Sequence, residues 1–294
     1  MPAMKSSQAG AIQVGAFVSS SGGIFNAIER AEAIEAEAAM TFGSNNRTWR
    51  KTVHKPEAVA KFREMHAASS VGEVWLHNIY LANLATDKPE LLEQSIDCVI
   101  NGMTVADALG VEGVILHTGS HQGRGFEAML PQVTDALQQI IAQSPGDAVL
   151  ALENAAGQGG VIGSDFAELG TILQAVDSPR LEVCFDTCHA FAAGYDLAGE
   201  AGVAETLKQF DAEIGLDHLV VLHANDSMME RGEHRDRHDN IGDGHIGDAG
   251  FRAMLERPEL QGKAWLLEVP GIEGDGPDLE NVNRLKRIRD AVAG

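Results

Sequence analysis

The segment VCFDTCHAFAAGYD, residues 183–196, places reactive side chains where an apolar run ends. Asp186, Cys188 and His189 fall within four positions, and small residues and glycine follow them. Burying an unpaired carboxylate or imidazole costs several kcal/mol, so these groups need a partner at this point of the fold. Their types and spacing predict that Asp186 and His189 bind metal ions.

The same pattern recurs along the chain. Five further apolar runs end in an imidazole or a carboxylate, and three residues of these types lie close by in sequence, one of them three positions after Asp186 and two in the segment HRDRHD. The predicted ligand set is His77, His117, Glu153, Asp186, His189, His223, Asp236, His238 and Glu268.

This set of side chains predicts a catalytic metal cluster. Five imidazoles and four carboxylates, with no thiolate, are typical of catalytic nitrogen and oxygen sites rather than of structural thiolate sites. One tetrahedral ion cannot use them all, so we expect two or three ions with a bridging carboxylate. Clustered divalent ions favour phosphoester hydrolysis, because they activate water, polarise the phosphoryl group and stabilise the leaving oxygen.

Eight short apolar segments must position these residues. Stretches with helical periodicity separate them, which is typical of parallel strands covered on both faces. Eight βα units predict one domain over residues 11–294, a (β/α)8 TIM barrel whose strand ends converge on one face. An open doubly wound sheet is the alternative. The segments are 12–19, 38–42, 73–78, 113–119, 148–154, 181–186, 218–226 and 264–270.

Composition limits the other possibilities. The 294 residues are 44% hydrophobic, no apolar run has the length of a membrane span, and residues 1–10 predict a flexible extension without a signal peptide. Three cysteines, an odd number, indicate a reducing compartment, so we expect a cytoplasmic protein. A net charge of −21 argues against nucleic acid unless carboxylates hold divalent metals, which would invert the local charge.

Four other features have simpler interpretations. GDGHIG, residues 242–247, fits a dinucleotide-binding motif but follows a charged loop, so a glycine-rich loop beside the metals is favoured. Cys184 and Cys188 are expected to be buried thiols, because the ligand set is complete without them. A basic cluster around Trp49 forms either a solvated face or a phosphate contact: Arg47, Arg50, Lys51 and Lys55. Four histidines are expected in ordinary packing or surface roles: His54, His66, His218 and His234.

Seven motifs resemble the successive motifs of the endonuclease IV family. They are LHNIYLANL, LHTGSH, LENAAGQG, CFDTCHAFAAGYD, LHANDS, DRHDNIGDGHIG and LLEVP. The match runs in order from GAFVSSSGG to Glu268 and covers nearly the whole chain. The resemblance implies a TIM-barrel apurinic/apyrimidinic (AP) endonuclease of base excision repair that holds three zinc ions.

The resemblance also implies a role for each ligand. His77, His117 and Glu153 hold one zinc ion, and Glu153 bridges to a second. That second ion is also bound by Asp186, His223 and Glu268, and a third by His189, Asp236 and His238. Glu153 and Glu268 are the implied catalytic residues, with a metal-bound hydroxide as the nucleophile. Manganese is able to replace zinc at one or more positions.

DNA-binding residues are implied in the same way. Arg47 and Trp49 in SNNRTWR belong to a DNA-recognition loop, and Tyr80 and Leu81 are similar to side chains that wedge into the duplex at the lesion. A wedge stabilises an extruded abasic nucleotide, and extrusion costs least where no base pairs or stacks. The expected partner is double-stranded DNA containing abasic sites, and we expect the chain to act as a monomer.

Three positions depart from the family pattern. Phe17 stands where histidine is usual, Asn78 where aspartate is common, and Val269 where threonine is common. None is an implied ligand, but Asn78 and Phe17 are expected to alter the orientation of ligands and so the metal affinity.

The sequence therefore predicts a metal-dependent AP endonuclease that cuts the phosphodiester 5′ to an abasic site. The implied products are a 3′-hydroxyl and a 5′-deoxyribose phosphate, and the implied second activity removes 3′ blocking groups. One rival is a sugar isomerase or epimerase on a similar barrel, which needs fewer ions. Another is a non-catalytic zinc-binding protein. The number of metal ions bound per chain would distinguish the endonuclease from a sugar isomerase or epimerase. Any catalytic turnover would exclude the non-catalytic zinc-binding protein.

Overall fold

The computed structural model describes residues 11–293, and its centre is a closed barrel of parallel strands. The barrel strands are β1 (Gln13–Phe17), β2 (Ala38–Phe42), β3 (Val74–His77), β4 (Gly113–Leu116), β5 (Val149–Glu153), β6 (Leu181–Asp186), β7 (Leu219–His223) and β10 (Ala264–Leu267). A short antiparallel pair, β8 (Asp226–Ser227) and β9 (His238–Asp239), lies between β7 and β10 in sequence.

The order around the barrel is β1-β10-β7-β6-β5-β4-β3-β2, and β1 pairs with both β2 and β10. Each of the eight predicted segments contains one of these strands, so the prediction of a single-domain TIM barrel is confirmed. Because the barrel is closed, the alternative of an open doubly wound sheet is wrong. The predicted extension at residues 1–10 lies outside the described residues.

Helices surround the strands and cover their outer faces. They are α1 (Asn26–Ala33), α2 (Pro56–Ala68), α3 (Pro89–Leu109), α4 (Phe126–Gln143), α5 (Phe166–Val176), α6 (Thr187–Ala193), α7 (Glu200–Glu213), α8 (Gly247–Leu255) and α9 (Leu279–Ala293). Proline begins α2 and α3, a position that needs no amide hydrogen. Across residues 11–293, none of the helices combines the length and the apolar character that a membrane crossing requires.

Two layers of side chains fill the barrel lumen and set the position of the site. The lower layer is the buried cluster Ala38, Met40, Trp75, Ile115, Ala151, Cys184, Val221, Ala264 and Leu266. Alternate strand residues point to the same side, so on each of these strands the residue two positions after the last member of this cluster faces the lumen at its C-terminal mouth. These mouth positions are where we expect chemistry.

Gly15 allows β1 to approach its neighbours closely. A Cβ atom there would lie 2.5 Å from the Ala38 carbonyl oxygen and 2.7 Å from Leu266 Cδ2. We expect Gly15→Ala to lower the free energy of unfolding by about 1–3 kcal/mol through overpacking, as denaturant titration would measure. Gly199→Ala is the control, because nothing lies within 4 Å of its added methyl group. Equal unfolding midpoints for the two variants would contradict this account.

Candidate metal centre

Six of the eight strands present an ionisable side chain at the C-terminal mouth. They are His77, His117, Glu153, Asp186, His223 and Glu268, each two positions after a member of the lower lumen layer. The neighbouring strands β1 and β2 instead present Phe17 and Phe42, whose ring centroids lie 4.8 Å apart. The mouth is therefore charged over six strands and aromatic over two.

Glu153 joins the first group to the second. Its Oε2 lies 3.2 Å from His77 Nε2 and 3.3 Å from His117 Nε2, and its Oε1 faces His223. Burial favours a raised pKa for Glu153, but its interactions with the surrounding histidine rings, His223 and His189 among them, outweigh burial and hold the pKa well below its usual range. Desolvation lowers the pKa of His117 to about 4, which keeps this ring in the neutral form that binds metals.

In the second group, three carboxylates surround one imidazole nitrogen. His223 Nδ1 lies 2.9 Å from Glu153 Oε1, 3.2 Å from Glu268 Oε2 and 3.7 Å from Asp186 Oδ2. Burial alone would raise the pKa of Glu268, but the charge and hydrogen bond of His223 lower it to about 2. The group therefore gathers three carboxylates around a single imidazole nitrogen, and burial raises the pKa of one of them, Asp186.

The third group is built from two elements outside the barrel strands. His189 lies in the first turn of α6, where Asp186 caps the helix by accepting the His189 amide hydrogen at 2.7 Å. Asp236 and His238 come from the segment that includes β9. Asp236 Oδ2 lies 3.3 Å from His189 Nε2, and its Oδ1 lies 3.2 Å from His238 Nε2. Burial would lower the pKa of His238, but the nearby carboxylates of Asp236 and Asp186 raise it to about 9.

All nine predicted ligands thus fall into three groups, within each of which the potential ligand atoms lie within 4.8 Å of one another. Their chemistry fits divalent cations, because Glu153 and Asp186 are fully buried and the only ion pairs that they form within residues 11–293 are with histidines. Two buried ring nitrogens, His223 Nε2 and His238 Nε2, also have no hydrogen-bond partner. The clustered side chains are consistent with a metal-binding site.

Two asparagines orient this site, and the sequence reasoning missed them. Asn225 donates from Nδ2 to Asp186 Oδ2 at 2.7 Å and accepts the Glu268 amide hydrogen at 2.7 Å. Asn154 donates to the Asp186 carbonyl oxygen and accepts the Asp186 amide hydrogen at 2.6 Å. Both follow a ligand closely at a strand end, in LEN and HAND, which was the available signal.

Asn225→Ala is expected to weaken metal binding without removing a ligand. Losing both hydrogen bonds frees Asp186 and Glu268 to turn, and outer hydrogen bonds of this kind are typically worth about 10–100-fold in metal affinity. Chelator competition followed by metal analysis would measure the change. Asn101→Ala is a matched control. Asn101 lies on α3, and its side-chain amide also makes two hydrogen bonds, both with the backbone of Thr52. Equal metal retention by both variants would contradict the role of Asn225.

The GDGHIG loop encloses a carboxylate of the chain itself. The Asp226 carboxylate accepts the amide hydrogens of Gly242, Gly244, Ile246 and Gly247 at 2.9–3.3 Å. A Cβ atom at Gly244 would lie 2.5 Å from Asp226 Oδ1, so the loop needs glycine there. The amide groups that a dinucleotide phosphate would need are already satisfied, and the glycine-rich loop interpretation is the one that fits.

The remaining sequence features have structural partners. Cys184 and Cys188 are buried, and burial raises the pKa of each thiol to about 12. The potential ligand atoms of Cys188, Asp186 and His238 also lie within 4.8 Å of one another.

Two of the positions that depart from the family pattern, Asn78 and Val269, are buried, and Asn78 donates to the Ile79 carbonyl oxygen. Ring nitrogens of four histidines face backbone oxygens or Glu182: His54, His66, His218 and His234.

The residues suggested for DNA binding lie on loops at the same mouth. Tyr80 and Leu81, after β3, are 58% and 41% exposed, and the Tyr80 ring lies 5.1 Å from the His77 ring. Arg47 is exposed and Trp49 half-buried on the loop after β2. Arg47 lines a cavity of about 1060 Å³ whose inner wall includes Phe17 and Phe42. Of the basic cluster, Lys51 pairs with Asp97 at 3.0 Å.

Comparison with known proteins places the chain among close relatives. A family model described as xylose isomerase-like TIM barrel matches residues 28–292. The probable endonuclease 4 of Halothermothrix orenii is 36% identical over 94% of this chain and 100% of its own length. That of Natronomonas pharaonis is 38% identical over 95% and 98%. The crystal structure of endonuclease IV from Thermus thermophilus superposes with a TM-score of 0.84 and 33% identity, covering 95% of this chain and 99% of that one.

Proposed function

Because the chain belongs to the endonuclease IV family of xylose isomerase-like TIM barrels, we propose that it is a DNA repair hydrolase. Its proposed reaction is hydrolysis of the phosphodiester 5′ to an abasic site in duplex DNA, which leaves a 3′-hydroxyl. Removal of 3′ blocking groups by the same centre is part of the proposal. One observation carries it: three groups of potential ligands, two of them sharing Glu153, converge at the barrel mouth.

The proposed cofactor is zinc, three ions per chain, with manganese able to replace it at one or more positions. His77, His117 and Glu153 would hold the first ion. The second would be held by Glu153, Asp186, His223 and Glu268, and the third by His189, Asp236 and His238. When bound, such ions supply an activated water and a polarised phosphoryl group.

The exposure of the ligands indicates the side from which the phosphate arrives. The side chains of His117 and Asp236 are 31% and 39% exposed, whereas those of Glu153, Asp186 and His223 are fully buried. The buried residues therefore fix the geometry, and the exposed edge between β4 and the β9 segment admits the substrate. In the proposed reaction, Glu153 and Glu268 are the catalytic residues, because they fix the ligand groups that surround the attacking water.

Tyr80 and Leu81 are proposed to enter the duplex at the lesion, and Arg47 and Trp49 to contact the strand beside it. Tyr80→Ala is expected to lower kcat/KM on an abasic duplex about tenfold or more, because a wedge offsets unstacking that costs a few kcal/mol. The Lys61→Ala variant on α2 is the control, since Lys61 packs over the Phe25 ring. Undiminished kcat/KM, or loss of zinc in the Tyr80 variant, would contradict a wedge role.

Charge, ligand source and cysteine state support the proposed substrate, oligomeric state and location. Metal charge at the mouth would offset the net charge of −21 where DNA binds. All nine proposed ligands come from one chain, which supports a monomer as the working unit. The three cysteines are unpaired, which supports the proposed cytoplasmic location.

A duplex oligonucleotide with one tetrahydrofuran abasic analogue tests the proposal. The analogue blocks β-elimination, so a nick on its 5′ side that disappears with chelator and returns with zinc is the expected result. The sugar isomerase rival predicts turnover of a ketose or aldose and an intact duplex. A folded, zinc-loaded protein that leaves the duplex intact would reject the endonuclease proposal.

A further inference from the structure

The proposed wedge pair, Tyr80 and Leu81, forms the tip of a tight turn. The Ala82 amide donates to the Ile79 carbonyl oxygen at 3.3 Å, so the wedge pair occupies the two central positions of a β-turn. Ile79 and Ala82 are buried, whereas the two residues between them are exposed. Such a tip keeps its direction inside a duplex if the chain segments on both sides of it are fixed.

The segment that enters the turn is held by the barrel, and the segment that leaves it is held by Asn83. On the entry side, the Asn78 amide donates to the Ile115 carbonyl oxygen at 2.8 Å and extends the pairing of β3 with β4. On the exit side, the Asn83 side chain accepts the Ser120 amide hydrogen at 3.2 Å and donates to the Ser120 carbonyl oxygen at 3.1 Å. It also accepts the Ala85 amide hydrogen at 2.9 Å. One side chain therefore fixes the exit segment to the loop after β4.

The loop after β4 is itself anchored where Asn83 meets it. Ser120 pairs with Val161, on the loop after β5, in an antiparallel bridge. The fit is close, because a Cβ atom at Gly119 would lie 2.2 Å from Asn83 Oδ1. The Asn83 backbone amide also donates to the Ser95 hydroxyl of α3 at 3.0 Å. Asn83 thus ties the turn to two neighbouring elements, the loop after β4 and α3.

We propose that Asn83 is a positioning residue that fixes the direction in which Tyr80 and Leu81 project. It acts through the turn and is assigned no contact with a metal ion or with DNA. Without its side chain the exit segment is free to move, so the wedge pair meets the extruded nucleotide in fewer of its orientations. A misplacement of about 1 Å can cost an enzyme about a hundredfold in rate. The inference rests on the proposed function and adds to it a residue outside the wedge itself.

A double-mutant cycle separates this role from a general loosening of the mouth. With zinc-loaded proteins, kcat/KM on the tetrahydrofuran duplex is measured for wild type and for Asn83→Ala. The same pair is measured again in a chain that also carries Tyr80→Ala and Leu81→Ala. We expect Asn83→Ala to lower kcat/KM about three- to tenfold when the wedge pair is present, the worth of a hydrogen bond. No further loss is expected when the wedge pair is absent, and zinc content is expected to equal that of wild type throughout.

Gln132→Ala is the control from the same loop. Gln132, on α4, donates to the carbonyl oxygens of Leu84 and Thr86 at 2.8 and 2.9 Å, and both lie beyond the point that Asn83 fixes. This variant is expected to match wild type. Should Asn83→Ala not fold, Asn83→Asp takes its place, since aspartate keeps the acceptor oxygen but cannot donate to the Ser120 carbonyl oxygen.

The inference fails if Asn83→Ala cuts as wild type does, if it loses zinc, or if Gln132→Ala is equally impaired. It also fails if the loss is as large without the wedge pair. Binding of the tetrahydrofuran duplex is measured by fluorescence anisotropy on the same preparations. A zinc-loaded wild type that binds this duplex without cutting it would reject the proposed function, while the binding constants would still decide the role of Asn83. A wild type that neither binds nor cuts it would reject both.

Discussion

Replacing Glu153 with glutamine is expected to reduce incision of the tetrahydrofuran duplex by about a thousandfold or more. Glu153 is fully buried and contributes one oxygen to each of two ligand groups. Glutamine keeps the shape but removes the charge and turns an amide nitrogen towards His77 or His223. Metal catalysis of this kind supplies several kcal/mol, and each 1.36 kcal/mol corresponds to about tenfold in rate. Single-turnover gel assays with saturating enzyme would measure the loss.

Glu182→Gln provides the matched control for this experiment. Like Glu153, Glu182 lies on a barrel strand, here β6, but its carboxylate pairs with His218 Nδ1 at 2.9 Å, away from the ligand groups. This variant is expected to cut at the wild-type rate. A Glu153→Gln protein that retained about a tenth of wild-type activity would have lost only about 1.4 kcal/mol, too little for a bridging ligand.

Replacing Asp226 with alanine is expected to lower the free energy of unfolding by about 3 kcal/mol or more. The buried carboxylate satisfies four amide groups of the 242–247 loop, and each buried donor left unsatisfied costs about 1–3 kcal/mol. Denaturant unfolding followed by circular dichroism would measure the change. Asp226→Asn, which keeps one acceptor oxygen, is expected to fall between alanine and wild type.

Asp243→Ala is the control from the same loop. Asp243 pairs with Arg284 at 2.8 Å in an exposed position, and exposed ion pairs contribute about 0–1 kcal/mol. If Asp226→Ala were no less stable than Asp243→Ala, the carboxylate would not be what holds the loop together. The loop follows β9, so a loosened loop should also weaken the position of His238.

The barrel and the convergence of the ligands were predictable because topology requires them. Once eight apolar runs are assigned to parallel strands of a closed barrel, their C-terminal ends must meet. His77 and Glu268, far apart in sequence, then belong to one mouth without any further information. The family resemblance added the grouping of ligands, which matches the three groups that the structure brings together.

Other parts of the site could not be read from the chain alone. The roles of Asn154 and Asn225 depend on which backbone and side-chain atoms face them across strands, and residue type does not fix that. The GDGHIG pattern has the same glycine spacing whether it encloses a phosphate or Asp226. The pairing of Phe17 with Phe42 requires the register of β1 against β2. Each of these features follows from three-dimensional contacts rather than from periodicity.

The aromatic sector formed by Phe17 and Phe42 separates two tasks that many enzymes must perform with the same residues. None of the nine potential ligands lies on β1 or β2, yet both strands border the cavity at the mouth. Substitutions in this sector can therefore reshape the wall while the charges over the other six strands stay the same. The fit of the substrate against this wall can thus change without altering the number or the charge of the potential ligands.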